Sequence, residues 1–170
     1  MHNLGFKGIN IDPNPAMIER FNKFRPNDIN LCLGCDNKEG ELAYYCFKED
    51  SYNTMQQEVA DGRVNDNPHM TYKTTIVPVT TLKKVLEKNL PVGESISLLD
   101  LDAEGMECRI LEGNDWEKYR PKVISMECFT GYVDDIKTIY HDPAVKYLCK
   151  QDYRVVAKVF NAVFFLDNRR

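Results

Sequence analysis

Short apolar runs, many of them β-branched and bounded by turn-forming residues, recur along the chain in a pattern typical of buried strands. Eight runs predict strands: KGINID (7–12), DINLCLG (28–34), ELAYYCF (41–47), TYKTTIVPV (71–79), SISLLDLD (95–102), KVISMECF (122–129), RVVAKVF (154–160) and AVFFLD (162–167). Pro78 marks the fourth as an edge-like strand, because proline cannot donate a hydrogen bond to a neighbouring strand. The last two runs meet at Asn161 and predict an antiparallel hairpin.

Between these runs, apolar residues recur at helical spacing behind residues that favour helix starts. The predicted helices begin at Pro15, Leu82, Gly105 and Pro143, with a further helical stretch through Ile136 and Ile139. The segment 48–70 is polar and aperiodic, which predicts one long loop. It is interpreted either as a lid that recognises an acceptor or as a disordered excursion.

Strands that alternate with helices predict an α/β protein. Its sheet is expected to be mostly parallel, to carry helices on its faces and to end in the antiparallel hairpin. The chain has 170 residues, 43% of them hydrophobic, and it shows no internal repeat or interdomain linker. Residues 1–170 are therefore expected to form a single domain with its own core.

Charge and hydropathy exclude two classes of partner. A formal net charge of −4 at pH 7 offers no positive field for a phosphate backbone, so nucleic-acid binding is not expected. No apolar run approaches the roughly 18 residues of a membrane span, and the first residues do not resemble a signal peptide. We expect a soluble, cytoplasmic protein without a membrane span.

The six cysteines are dispersed and do not suggest a disulfide framework. Cys32 and Cys35 have the CxxC spacing of a redox dithiol or of half a zinc site. The three histidines are scattered, however, and none pairs closely with a cysteine. The pair also lies in a predicted strand, so free thiols and no metal site are expected.

Carboxylates follow the ends of four predicted strands, at the rim where open α/β sheets bind ligands. They are Asp12, Asp36, Asp100, Asp102, Glu104, Glu107 and Glu127. Helix capping or a solvated charge is the interpretation for Asp36 and Glu107. Asp102 and Glu104 crowd the end of the most apolar strand with no lysine nearby, which favours a functional site. Asp12 either binds the vicinal hydroxyls of a ribose or forms only an Asp-Pro turn.

Two longer stretches resemble the FkbM family of S-adenosylmethionine-dependent methyltransferases. They are GFKGINIDPNPAMIERFNKFRPNDINLCLGCDNKEGELAYY, and VTTLKKVLEKNL followed by SLLDLDAEGMECRILEGNDWEKYRPKVISMEC. The hallmark of that family is a strand running into an Asp-x-Glu-Gly motif, which here is Asp102-Ala103-Glu104-Gly105. The pattern around Asn161 and Phe164 is also similar to the family.

The resemblance implies a Rossmann-like class I methyltransferase sheet and S-adenosylmethionine as cofactor. It implies methylation of a hydroxyl oxygen, commonly on a sugar or glycan-like acceptor. By this analogy Asp12 binds the cofactor ribose, and Asp36 with Cys35 lies near the adenine. Asp102 and Glu104 face the reacting end of the cofactor and the acceptor, and one of them is the candidate general base.

The chain departs from the family at its start. Family members begin with a strand and a glycine-rich Asp-x-Gly-Ala-type loop that holds the methionine part of the cofactor, and this chain starts at Met1 after that point. The first strand of the sheet is therefore expected to be missing between the strands that end at Asp12 and Asp102. A strand from a partner or a second copy, direct pairing of the flanking strands, or a longer protein would each close the gap.

Two other functions stay open. A non-catalytic or degenerate module would retain the sheet and serve in binding or assembly, as the missing strand suggests. A metal-dependent hydrolase would use Asp100, Asp102 and Glu104, since hard carboxylates suit magnesium.

Overall fold

The computed structural model describes residues 5–128 and 136–169, which form nine strands and five helices. The strands are β1 (Ile9–Ile11), β2 (Ile29–Leu31), β3 (Gly34–Cys35), β4 (Gly40–Phe47), β5 (Tyr72–Thr80), β6 (Leu98–Leu101), β7 (Val123–Glu127), β8 (Tyr153–Val159) and β9 (Ala162–Asp167). The helices are α1 (Pro15–Phe24), α2 (Gln57–Asp66), α3 (Leu82–Asn89), α4 (Glu107–Glu112) and α5 (Pro143–Lys150). Two single 3-10 segments, Asp50–Tyr52 and Ile136–His141, complete the regular structure.

Three helices begin at the caps that the sequence predicts. The side chain of Asn14 accepts a hydrogen bond from the backbone two residues on, at 3.0 Å, and Thr81 and Asp142 cap α3 and α5 in the same way. Such bonds satisfy amides that the first helical turn leaves unpaired. Helix α4 begins at Glu107 rather than at the predicted Gly105, because the φ angle of Gly105 is +99°, outside the helical region.

The described strands form three hydrogen-bonded sheets that contain both parallel and antiparallel pairs. In the first sheet β1 pairs with β2 in parallel, and in the second β5 lies between β3 and β4. The strand order of the third sheet is β6-β7-β9-β8. The expectation of a mostly parallel sheet holds in part, since β1–β2, β3–β5 and β6–β7 are parallel, but among the described strands β4–β5 and β7–β9 are antiparallel in addition to the expected hairpin. The alternation of apolar residues does not indicate the relative direction of two strands. That direction depends on the connection between them, and here the chain leaves β4 and enters β5 at the same end of the sheet. The predicted C-terminal hairpin is confirmed as β8–β9.

The segment 48–70 is not one long loop, because it contains α2. Only Ala60 is buried along this helix, and it packs against Tyr45 and Phe47 of β4. One small buried side chain, with only the partly buried Val64 packed against the same cluster, leaves no clear stripe at helical spacing in the sequence. The loop prediction is therefore wrong for Gln57–Asp66.

The position of Pro78 explains how a proline fits within β5. It lies opposite Glu41 of β4, while β3 pairs only with Val79 and Thr80. Among the described strands, β5 thus has one neighbour as far as Pro78 and two beyond it. The edge-like prediction holds up to the proline and is wrong for the last two residues.

β1 and β6 are each paired along one edge only, within the part of the chain that the structure describes. The amide of Asp12 donates to the carbonyl of Leu31 at 3.2 Å, so the alternation of the backbone turns the amide of Ile11 away from β2. Ile11 and Leu101 of β6 nevertheless line the same cavity. The two strands therefore flank a space that no described ladder bridges.

The main core lies between the third sheet and helices α3, α4 and α5. Its buried members include Leu86, Leu111, Ile124, Val145 and Phe165. This packing holds the ends of β6 and β7 in place beside each other. None of the helices in the described ranges is long and apolar enough to cross a bilayer.

Candidate functional site

A cavity of about 560 Å³ opens where β1 and β6 end. This volume is within the usual range of small-molecule sites. Asp12, Asp102 and Glu104 all line it, on walls formed partly by Ile11 and Leu101. The structure thus brings together the three acids that the sequence places on one rim.

Asp12 stands at the junction of β1 and α1. Its Oδ1 accepts the amide of Asn14 at 2.7 Å, which fixes the orientation of the carboxylate. Burial raises the pKa of Asp12, the hydrogen bond from Asn14 opposes this, and the nearby charge of Asp50 adds to the increase. No described residue donates to the other oxygen, Oδ2, which leaves that atom for a ligand in the cavity.

The loop after β6 is held by the first residue of α4. Glu107 is buried, and its two carboxylate oxygens accept the amides of Ala103 and Gly105 at 2.9 and 3.0 Å. Between these amides, Glu104 adopts a φ of +51°. Glu107 therefore serves as a structural acceptor that imposes a tight conformation on Glu104. The sequence interpretation of Glu107 as a capping residue is consistent with this geometry.

The segment around α2 clamps the same loop from the other side. The hydroxyl of Thr54 donates to the carbonyl of Glu104 at 2.9 Å, and Gln56 donates to the carbonyl of Gly105 at 3.4 Å. Arg63 of α2 forms an ion pair with the carboxylate of Glu104 and also donates to the carbonyl of Tyr52. All three partners lie in the segment that the sequence pattern predicts to be a loop, so none of them is predicted.

A further carboxylate, which does not itself line the cavity, lies beside two of those that do. Glu127, the last residue of β7, joins Asp102 and Glu104, and one carboxylate oxygen from each lies within 4.8 Å of the others. The parallel pairing of β6 with β7 explains this, since both strands end at the same edge of the sheet. Glu127 is on the predicted rim, but nothing in its local sequence distinguished it from a solvated charge.

Of the carboxylates whose pKa is shifted, Glu127 shows the largest shift. Burial raises its pKa to about 7, and the hydrogen bond with Asp102 and the charges of Asp102 and Glu104 act in the same direction. The side-chain hydrogen bond with Asn161, in the β8–β9 turn, opposes the shift. Carboxylates this close share protons instead of ionising independently. The site therefore holds a group able to exchange a proton near neutral pH.

A model of the methyltransferase FkbM domain matches residues 1–155 of this chain. The chain belongs to the FkbM methyltransferase family. No curated protein and no solved structure matches it. The segment Asp102-Ala103-Glu104-Gly105, on which the sequence resemblance rests, is the loop that Glu107 and α2 hold at the cavity.

Cys35 of the FkbM domain lies on the cavity wall. The residue is buried, and burial raises the pKa of its thiol to about 12, with the charge of Asp36 adding to the effect. Such a thiol stays protonated and behaves as a small apolar group. Cys32, its partner in the CxxC spacing, is exposed and follows β2.

Asp36 is not brought to the cavity. Its side chain is fully buried, and Oδ1 and Oδ2 accept Nε and Nη2 of Arg109 at 2.7 and 2.5 Å. Gly113 allows this approach of α4, since an added Cβ would lie 2.5 Å from the carbonyl oxygen of Asp36. Asp36 therefore joins β3 to α4 through a bidentate ion pair. Both of its oxygens are occupied in that role.

Proposed function

We propose that this FkbM domain transfers a methyl group from S-adenosylmethionine to a hydroxyl of a sugar or glycan-like acceptor. The observation that carries the proposal is the convergence of Asp12 with Asp102 and Glu104 on one cavity, in a chain of a methyltransferase family. The cavity has both an apolar wall and an acidic rim, as a ligand with an adenosine part and positive charges requires.

The residues present fit part of the cofactor well. Oδ2 of Asp12 is free of described donors and can accept the vicinal hydroxyls of a ribose. Cys35, Ile11 and Leu101 supply an apolar surface beside it. The carboxylates of Asp102 and Glu104 complement the positive sulfonium and amino groups. When bound, S-adenosylmethionine supplies an electrophilic methyl group.

In this proposal, residues of the chain orient the acceptor and remove the proton of its reacting hydroxyl. Asp102 and Glu104 lie at the carboxyl end of β6 and are proposed to accept hydrogen bonds from acceptor hydroxyls. Fixing the attacking oxygen in line with the methyl carbon lowers the entropic part of the barrier. A carboxylate that takes up the hydroxyl proton lowers the activation barrier further, by general base catalysis.

Titration of the chain with S-adenosylhomocysteine, followed by amide chemical shifts, tests the assignment of Asp12. We expect shifts clustered around the cavity and, in Asp12→Asn, about 10- to 100-fold weaker binding, because hydrogen bonds to a charged acceptor are lost. The asparagine retains Oδ1 for the Asn14 amide. Asp66→Asn, which changes an exposed acid of α2 outside the cavity, is the matched control. Equal affinities of Asp12→Asn and the control would overturn the ribose role.

The non-catalytic alternative has a distinct outcome. A non-catalytic domain would show no methyl transfer to any acceptor when supplied with radiolabelled S-adenosylmethionine and a panel of monosaccharide glycosides. Transfer that requires the glycoside, and that is lost in Asp102→Asn, supports the proposed enzyme. The control for this measurement is again Asp66→Asn, which we expect to retain full transfer.

A further inference from the structure

The clustered carboxylates of Asp102, Glu104 and Glu127 have different partners, and this separates their roles. Glu104 is engaged by Arg63, and the side chains of the two residues are only 20% and 19% exposed. A proton taken up by Glu104 would disrupt a largely buried ion pair and leave the guanidinium without its counter-charge. Burial raises the pKa of Glu104 and the ion pair with Arg63 opposes this increase, so Glu104 is less suited than an unpaired carboxylate to accept a proton during turnover.

Glu127 has no such partner among the groups that act on it. The charged groups facing it are Asp102, from the end of β6, and Glu104, from the loop after β6, and both are acidic. Asn161, from the β8–β9 turn, contributes a neutral hydrogen bond. In the described structure, protonation of Glu127 relieves repulsion instead of breaking an ion pair.

The backbone of Glu127 is also well anchored. β7 lies between β6 and β9, and Glu127 is paired with Ala162 of β9. The next residue, Cys128, donates its amide to the carbonyl of Asn161 at 2.8 Å. A carboxylate on a central strand keeps its position more closely than one on a loop.

We infer that Glu127 is the catalytic carboxylate that takes the acceptor's hydroxyl proton, and that Glu104 is a positioning residue oriented by Arg63. This inference rests on the proposed methyl transfer. Glu127 takes the proton as the oxygen–carbon bond forms and the carbon–sulfur bond breaks, with the electron pair of the broken bond remaining on sulfur. One positive charge on sulfur and one negative charge on Glu127 are neutralised together, and the proton then passes to water.

The protonation state of Glu127 predicts the direction of the pH dependence. Its pKa is raised to about 7, chiefly by burial, so the fraction able to accept a proton falls as pH falls through 7. A base whose pKa lies near the working pH combines availability with adequate strength. The rate of transfer is therefore expected to decrease on the acid side of neutrality.

The first test measures protonation without turnover. Carboxyl carbons of selectively labelled glutamate are followed by NMR as a function of pH in the cofactor-free full chain. We expect one glutamate to titrate near pH 7, to disappear in Glu127→Gln and to persist in Glu104→Gln. Persistence of this titration in Glu127→Gln would overturn the inference.

The second test measures transfer from S-adenosylmethionine to the monosaccharide glycoside that the wild-type chain methylates. Glu127→Gln should lower kcat by about 10²- to 10⁴-fold and remove the acid limb of the pH profile, with S-adenosylhomocysteine affinity unchanged within about twofold. Glu127→Asp should restore part of kcat and the acid limb. Glu104→Gln should retain that limb, and Glu94→Gln, at an exposed site outside the cavity, is the control.

The outcomes distinguish the inference from the function on which it rests. Wild-type transfer with an unchanged kcat and pH profile in Glu127→Gln overturns the role of Glu127 and leaves the methyltransferase intact. A wild-type chain that binds S-adenosylhomocysteine but methylates no glycoside overturns the proposed function and the catalytic role together. Loss of wild-type transfer on addition of EDTA also overturns the inference, because the three carboxylates would then hold a cation.

Discussion

Gly105 meets two separate requirements of the loop that carries Glu104. Its φ angle is +99°, which residues with a side chain rarely adopt, and an added Cβ would lie 3.3 Å from Cγ2 of Val59 in α2. The conformation and the close approach of α2 both depend on the missing side chain. The glycine of the motif is therefore required by a contact with α2, a segment about 45 positions earlier in the chain.

Substitution of Gly105 by alanine is expected to destabilise the fold by about 1–3 kcal/mol, because the strained φ and the contact with Val59 act together. Gly62 provides a matched control, since it lies within α2 and an added Cβ there meets nothing within 4 Å. We expect Gly62→Ala to stabilise by up to about 1 kcal/mol, because alanine favours helix. Urea unfolding measures both values, and equal effects of the two substitutions would contradict this account of the loop.

At the scale of single elements, helix caps were predictable and α2 was not. Asn14 and Thr81 bond amides only two or three residues away, so their roles depend on local sequence. Helix α2 buries only Ala60 against β4, so its helical state depends on a tertiary contact. The partners of Glu104 therefore could not be deduced from the pattern of apolar positions.

The pairing of β1 along one edge predicts uneven protection of its amides. The amide of Asp12 donates to Leu31, whereas that of Ile11 points to the edge without a described strand. We expect Ile11 to exchange hydrogen much faster than Asp12 in native-state NMR measurements. Phe165, in β9 between β7 and β8, is the protected reference. Strong protection of Ile11 would show that a strand covers this edge in solution.

For the molecule as a whole, we expect the space between β1 and β6 to set the affinity for the proposed cofactor. Ile11 and Leu101 line a cavity whose flanking strands are not joined by a ladder among the described residues. We therefore expect the isolated chain to bind S-adenosylmethionine measurably but with an affinity weaker than micromolar, because water enters one side of the site. A strand from a second copy or from another partner is proposed to cover that side.

Isothermal titration calorimetry of the isolated chain with S-adenosylmethionine checks this expectation. Micromolar affinity in a monomeric sample would contradict it and would show that the described cavity suffices. Sedimentation at several protein concentrations supplies the control, since affinity that increases with self-association would indicate a strand or surface contributed by a second copy.

The sequence by itself determined seven of the eight strand runs, three of the helix starts and the placement of acids at strand ends, because these depend on neighbours within a turn or an alternating run. The run 28–34, predicted as one strand, divides instead between β2 and β3, which pair with different strands. The resemblance carried by the Asp-x-Glu-Gly motif also identified the family, which the match over residues 1–155 confirms. Tertiary structure alone decided the antiparallel β4–β5 pair, the pairing of Asp36 with Arg109, and the meeting of Asp102 with Glu127. Each of these joins residues far apart along the chain, and no local pattern specifies which distant side chains will share a buried site.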